Sequence, residues 1–420
     1  MNEALFDFDN KSVARARGFV PLRGYRIVEM CSNIAGPYAG MILAQLGAEV
    51  IKIEPPGGDD ARAFASRIDN ESIVFHHFGA GKRSIVVDLK RTEGVAVARD
   101  LILSADVVLE SMRPGSADNL GVGSVFTKES APKVLYYDIN AYGAGPLGRF
   151  LPGYDPLIQA FSGIMDMTGH DDSPPTRCAP SVVDLSTGQW VAMGVMAALF
   201  QIARGGDVHY IETALVDTAF NLIPYQATAA LVTGQRPARA GSGNPIAAPY
   251  QCYRAKDGYL LIAAANERLW QSLVRALDTP QLLTDERFHG VESRSEHRKE
   301  LEVQLNTILS QHDVAHWIEQ LEHQHVPVGR VLGLEEAVVS EVTEERQTFL
   351  DSGEVPLVRL PWLVDEKPVA WRRPAPRLGE NAFEVLEEIG YDRARISELL
   401  NLDIIGAARE FPPHPDAENN

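Results

Sequence analysis

The apolar positions of this chain fall into short runs set between amphipathic stretches. Residues 27–30 form a first, mostly apolar run, and residues 50–53 a second. Between them Ile42, Leu43 and Leu46 share one helical face. The spacing predicts a helix that starts near Pro37, whose missing N–H has no intrahelical partner in a first turn, and that ends at Gly47. A third strand is predicted at 84–89, then a helix over 92–104, and "ADVVLESM" and "KVLYYDINAYG" read as two more strands. Strands alternating with helices predict α/β architecture, with a large Rossmann-like parallel-sheet domain.

After Gly153 the pattern becomes helical. "YDPLIQAFSGIMDMTG" and "TGQWVAMGVMAALFQIA" are apolar nearly all round, so they are expected to be buried or to lie at a subunit interface. Beyond residue 228 the texture turns cationic and turn-rich, with a strand predicted at 258–265 and charged helices to about 325. The expected division is a loose arm at 1–19, a large domain at 20–228, a smaller α+β domain at 229–326, a segment of short strands and a helix at 327–410, and a disordered tail at 411–420.

Composition narrows the function classes. The chain has 420 residues, 39 basic and 57 acidic, a net charge of −18. That balance argues against nucleic acid or an anionic membrane as partner, and it requires any anionic ligand to find a locally cationic pocket. The cysteines Cys31, Cys178 and Cys252 are far apart with no CxxC pair, and residues 1–19 lack an apolar leader core, so a cytoplasmic setting is expected. No uninterrupted apolar stretch approaches a membrane span of ~18 residues.

The turn after the first strand reads Ala35-Gly36-Pro37-Tyr38-Ala39-Gly40. A dinucleotide site needs G-x-G-x-x-G, and the match fails at its first glycine. The turn still offers backbone N–H groups at a strand's carboxyl end, where anions or carbonyl oxygens bind. Glu54 ends the second strand, where a ribose-binding acid would sit, but the following Pro55-Pro56-Gly57-Gly58 favours an exposed turn. Arg62, Lys82, Arg83, Lys90 and Arg113 gather in this half and form a candidate site for a phosphorylated nucleotide.

Asp184 stands between an apolar segment and a long apolar helix. One reading makes it the helix N-cap, accepting from Ser186 or Thr187. The other makes it a nucleophile, a rigid carboxylate stabilised by the helix dipole at a low-dielectric site. The two are compatible.

At these residues the chain resembles class III coenzyme A transferases, the formyl-CoA transferase and carnitine CoA-transferase family. "LGAEVIKIEPPGGD", "GKRSIVVDLK", "MRPGSADNLG", "PGYDPLIQAFSGIMDMTG" and "VVDLSTGQWVAMG" follow in the family's order, and "NPIAAPYQCYRAKDGYLLIAAAN", "VPVGRV" and "RRPAPRLGE" extend the likeness to nearly the whole chain. The resemblance implies a large domain built from both termini, to which 327–410 return, a small inserted domain, and two ring-like subunits interlocked as a homodimer. It implies that Asp184 attacks an acyl-CoA carbonyl, giving an anhydride and then an aspartyl-CoA thioester that passes coenzyme A to a small carboxylic acid. Coenzyme A is then a substrate; no permanent cofactor and no metal are expected. Asn33, Ile34, Ala35 and Tyr154, with Gly241 and Gly243 of a glycine-rich loop, are the implied acyl and CoA pocket. Pro55, Arg62, Lys82, Arg83 and Arg113 are the implied CoA contacts.

A racemase branch of that family places a histidine thirty residues before the aspartate. Here the position is Tyr154, and a phenol of pKa about 10 is a poor base at neutral pH, which favours transfer. Ile34 replaces the glutamine of formyl-CoA transferase, which argues for a bulkier acyl group than formyl or oxalyl. His76-His77 and His323-Gln324-His325 lack zinc-site spacing, Cys31 lacks a histidine partner, and Asp155 reads as a helix cap. The remaining alternatives are an acyl-CoA racemase, isomerase or lyase, and a non-catalytic CoA-binding homologue.

Overall fold

The structure is a computed structural model, and it describes residues 19–64, 66–68 and 71–406. The expected arm, apart from Phe19, and the expected tail lie outside the described residues. The chain divides into two compact units. The first holds the described residues up to Ser162, Ala179–Leu222, and those from Glu344 onward.

The first unit is built on a seven-stranded sheet. Its strands are β1 (Arg26–Met30), β2 (Glu49–Glu54), β3 (Arg83–Val87), β4 (Val107–Glu110), β5 (Leu135–Asn140), β6 (Tyr210–Ala214) and the short strand Ile405–Gly406. From that short strand the order runs β3, β2, β1, β4, β5, β6. All neighbours are parallel except Ile405–Gly406, which runs antiparallel to β3. The order reverses direction between β1 and β4, the switch point where open α/β sheets leave a crevice beyond the strands' carboxyl ends.

β3, β4 and β5 are buried along their whole length, the signature of a parallel sheet covered on both faces. On one face Val28, Ile51, Ile85 and Val108 pack against Val97 and Leu101 of α2 (Thr92–Leu103). The same cluster takes in Val385 and Leu386, then Ile396 and Leu399, from two helices near the carboxyl end, Ala382–Glu388 and Arg393–Asn401. Each such side chain contributes about 1.5–3 kcal/mol through burial.

On the other face lies α1 (Ala35–Gln45), which begins two residues before the expected Pro37. Pro37 still falls in the first turn, where no donor is missed. Against α1 packs α4 (Val182–Ala203), reached through α3 (Asp155–Phe161). The approach depends on Gly188, where an added Cβ would stand 2.7 Å from the Ala35 carbonyl oxygen and 3.0 Å from Tyr38 Cβ. By length and composition alone α4 could cross a membrane. Here Val183, Val191, Val195 and Leu199 are buried, while Trp190, Met193 and Phe200 are exposed.

The second unit comprises Gly163–Cys178 and Ile223–Thr343, a wider span than the expected 229–326. The stretch "YDPLIQAFSGIMDMTG" is not one helix. It breaks at Gly163, whose φ of +86° suits glycine and not a helix interior. The unit carries a three-stranded antiparallel sheet, with Tyr259–Ala263 central between Tyr250–Arg254 and Val328–Arg330. Trp270, Leu273, Leu301, Leu305 and Trp317 fill its core.

Candidate active site

A cleft of about 320 Å³ opens at the switch point. Its walls come from the turn after β1 (Ser32, Asn33, Ile34, Ala35, Gly36), the loop after β4 (Ser111, Met112, Arg113, Pro114), the segment after β5 that ends at Tyr154, and Asp184. The topology thus gathers four of the expected pocket residues, Asn33, Ile34, Ala35 and Tyr154, around the expected nucleophile. Tyr154 is 63% exposed at the N-cap position of α3.

Asp184 is the third residue of α4, not its N-cap, which is Ser181. The capping acceptor is Asp155. Its Oδ2 accepts the backbone N–H groups of Val183 at 2.8 Å and Asp184 at 3.3 Å, and its Oδ1 accepts from Gln159 Nε2 at 2.6 Å. The expected cap role of Asp155 is therefore played at α4, a helix beginning some distance along the chain, and not at its own, which has no side-chain cap. Asp184 is half-buried and accepts no hydrogen bond from the described residues. Burial first, and the charge of Asp155 second, push its carboxyl up to about 7. Both effects oppose ionisation, so the carboxylate expected to be ionised is shifted towards its protonated form.

The turn at 32–36 rests on a buried ionic brace. Asn33 adopts a left-handed backbone, φ +65°, and donates its N–H to Asp59 Oδ1 at 3.0 Å. Lys52 Nζ reaches Asp59 Oδ2 at 2.7 Å, Glu29 Oε1 at 3.0 Å and the Cys31 carbonyl at 2.7 Å. Lys82 Nζ donates to Glu29 Oε2 at 2.6 Å and to the Pro37 carbonyl at 2.8 Å. Burial alone would raise Asp59, yet the Lys52 ammonium holds it below the usual carboxylate range. Gly40 makes room for the brace, since a Cβ there would fall 1.9 Å from Glu29 Oε2. Cys31 is buried beside it, and that burial pushes its thiol well up, which suits packing and not nucleophilic attack.

Of the expected CoA contacts, three are structural. Lys82 belongs to the brace. Arg62 forms two 2.7 Å contacts with Glu54, donates to the Pro376 carbonyl at 3.1 Å and stacks 3.5 Å from the Phe75 ring centroid. Arg83 holds Glu388 through bonds of 2.9 and 3.0 Å and also pairs with Glu49. All three are buried, because a charge on a doubly covered sheet persists only beside its counter-charge. Glu54 is likewise committed to Arg62 and Ser84 rather than left exposed or free for a ribose. Pro55 is exposed in the turn after β2, outside the cleft wall. Arg113 is exposed and lines the cleft.

The loop carrying Arg113 is fixed from behind by Glu110, which sequence reasoning missed. Its carboxyl accepts from the Met112 N–H and from Tyr136 Oη, the latter at 3.2 Å, and burial followed by Asp138 pushes it up to about 8. Gly241 and Gly243 lie in the second unit. Gly241, φ +58°, donates its N–H to the Gly169 carbonyl at 2.9 Å, and Gly243 donates to Ala240 at 2.7 Å.

Comparison with known proteins identifies the family. The sequence model described as CoA-transferase family III matches residues 22–382. This chain belongs to CoA-transferase family III. The succinate–glutarate CoA-transferase of Agrobacterium fabrum is 33% identical over 383 residues, covering 88% of this chain and 96% of that protein. The acetyl-CoA:oxalate CoA-transferase of Acetobacter aceti is 32% identical, covering 89% and 97%. A crystal structure of a CAIB/BAIF family protein from Brucella suis superposes with a TM-score of 0.81 at 31% identity, covering 89% of this chain and all of that one. This family III chain is therefore a mixed α/β protein with a large, mostly parallel central sheet.

Proposed function

We propose that this protein transfers coenzyme A from an acyl-CoA to a free carboxylic acid, with Asp184 as the group that is acylated. The observation that carries the reading is the Asp184 carboxyl itself. It is held at the switch-point cleft by a capped helix, accepts no hydrogen bond from the described residues, and is pushed up to about 7 by burial and then by Asp155. An Asp184 oxygen attacks the thioester carbonyl, the C–S bond breaks, and coenzyme A leaves as thiolate. The thiolate then attacks the aspartyl carbonyl of the resulting anhydride and expels the donor acid. The acceptor carboxylate attacks this aspartyl-CoA thioester and again releases thiolate. The thiolate finally attacks the acceptor's acyl carbonyl and returns Asp184 as carboxylate. Each step exchanges one acyl bond for another of similar energy, which is the advantage of a covalent route.

Ile34 in the cleft wall supports an acyl group bulkier than oxalyl; relatives of similar identity are named for succinate and glutarate and for oxalate. A homodimer, interlocked as the family resemblance implies, fits the apolar residues Trp190, Met193 and Phe200 left exposed on α4. The test is incubation with succinyl-CoA and glutaryl-CoA followed by peptide mass spectrometry. An adduct on the peptide bearing Asp184, absent in Asp184→Ala, is expected. Racemisation of a chiral 2-methylacyl-CoA without an acceptor acid would replace this reading with the racemase.

A further inference from the structure

A second cleft, about 170 Å³, lies at the opposite end of the sheet. It is lined by Gly47, Glu49 and Val50 at the start of β2, by Gly81 and Arg83 at the start of β3, and by Arg372 and Arg373. A strand of six residues separates it from the switch-point cleft, roughly 20 Å at about 3.3 Å per residue.

The charge balance here is unlike that of the whole chain. Glu49 is the only carboxylate on the wall, and it is already engaged by Arg26 and Arg83. Among the described residues no carboxylate pairs with Arg372 or Arg373, nor with the neighbouring Arg23. Arg372 and Arg373 are exposed, and partial burial followed by the charges of Arg373 and Arg23 pushes the Arg372 guanidinium down. Like charges so placed repel one another unless an anion joins them.

The floor supplies an independent sign of a missing partner. Arg83 is 4% exposed, and among the described residues its Nε–H has no hydrogen-bond partner. Behind the wall residue Gly81, Gln45 is 3% exposed at the end of α1, and among the described residues neither its Nε2 nor its Oε1 has a partner. The Gln45 amide abuts Gly81, where an added Cβ would stand 2.9 Å from Nε2. Buried polar groups left unsatisfied in a native fold call for a bound water, ion or ligand. Guanidinium groups select multi-oxygen anions, because their fixed donors match phosphate and carboxylate.

We propose that this cleft is an anion site, separate from the acyl-transfer cleft, that takes a small multivalent oxyanion such as a phosphate or a dicarboxylate. The inference does not depend on the role assigned to Asp184. The experiment is a calorimetric titration of the full-length protein with inorganic phosphate, and in parallel with succinate, at ionic strength held constant with NaCl. Saturable binding of either probe is expected. A phosphate-only response assigns the site to phosphoryl groups, and a response to both assigns it to dianions generally. R372Q/R373Q, two changes on an exposed rim, should weaken binding at least about tenfold, the value of one or more charge-assisted hydrogen bonds. CoA-transfer activity should be unchanged in that variant. A signal that vanishes under NaCl, one indifferent to R372Q/R373Q, or full displacement of phosphate by coenzyme A would overturn the proposal.

Discussion

Asp155 presents one carboxylate oxygen to the backbone N–H of Asp184 at 3.3 Å while its negative charge raises the Asp184 carboxyl. One residue therefore orients the proposed nucleophile and also hinders its ionisation. Asp155→Asn keeps an acceptor for the α4 N-terminus and removes the charge. The acid limb of Asp184 acylation is expected to move to lower pH in that variant, with part of the upward shift remaining because burial is its larger cause. Asp155→Ala should instead cost about 1 kcal/mol of stability through the lost cap. Acylation rates from pH 5 to 8, read by mass spectrometry, separate the two effects. An acid limb unmoved in Asp155→Asn would remove Asp155 from control of the nucleophile.

The same raised value carries a stability consequence. A carboxyl whose folded value rises from 3.8 to about 7 binds more protons in the native state than in the unfolded one. Stability is therefore present at low pH and is lost as pH rises through that window. Asp184→Asn should be more stable than the native sequence at pH 8, by on the order of 1 kcal/mol once solvent screening of a half-buried group is allowed for. The difference should fade towards pH 4. Chemical denaturation of both proteins at the two pH values measures it, and an Asp184→Asn less stable at pH 8 would contradict the sign.

What was legible in the chain was what has a local cause. Strands near 27–30, 50–53 and 84–89 follow from apolar runs, and Asp184 was singled out by its place before an apolar helix. The buried ion pairs were not legible, because the partners are far apart in sequence: Glu29 and Lys82 are separated by 53 positions and Arg83 and Glu388 by 305. Read locally, Arg62, Lys82 and Arg83 look like ligand-binding cations. Only the sheet order brings their carboxylates beside them. The cap of α4 was hidden for the same reason, since Asp155 precedes Val183 by 28 residues.

The brace beneath the turn at 32–36 makes a strong prediction. Lys52→Met removes the ammonium shared by Glu29 and Asp59; Glu29 keeps Lys82, but the buried Asp59 carboxylate is left uncompensated. A loss of about 3–5 kcal/mol is expected, as for other broken buried pairs. Urea denaturation gives the number, and a loss below about 1 kcal/mol would show that the carboxylate simply takes up a proton.

Gly188→Ala tests the helix contact that sets Asp184 against the turn. The new methyl would stand 2.7 Å from the backbone oxygen of Ala35, which cannot swing aside as a side chain can. The α4 axis must shift, at a cost of about 1–3 kcal/mol. Because Asp184 lies one turn earlier on the same face, its acylation rate should fall more than the affinity for acyl-CoA. Single-turnover acylation measured against equilibrium binding distinguishes the two, and equal losses in both would mean a general loosening of the fold.

Arg113 is the expected CoA contact that the fold leaves available, exposed on the cleft wall and followed by Pro114 in a loop anchored by Glu110. Arg113→Gln should weaken CoA-ester binding by about 10- to 100-fold, as expected for a charge-assisted bond to phosphate. Its thermal stability should stay within about 0.5 kcal/mol of the native sequence, because the side chain is solvated and has no ion-pair partner among the described residues. Arg62→Gln is the control with the opposite pattern. It strips Glu54 of a two-point partner inside the sheet, so unfolding should come first and any binding loss should follow from it. The salt dependence of binding adds a further discriminant, since a phosphate contact through Arg113 weakens as ionic strength rises and its removal flattens that dependence. If Arg113→Gln binds coenzyme A esters with native affinity and native salt dependence, the nucleotide phosphates are held by other groups than those on this wall.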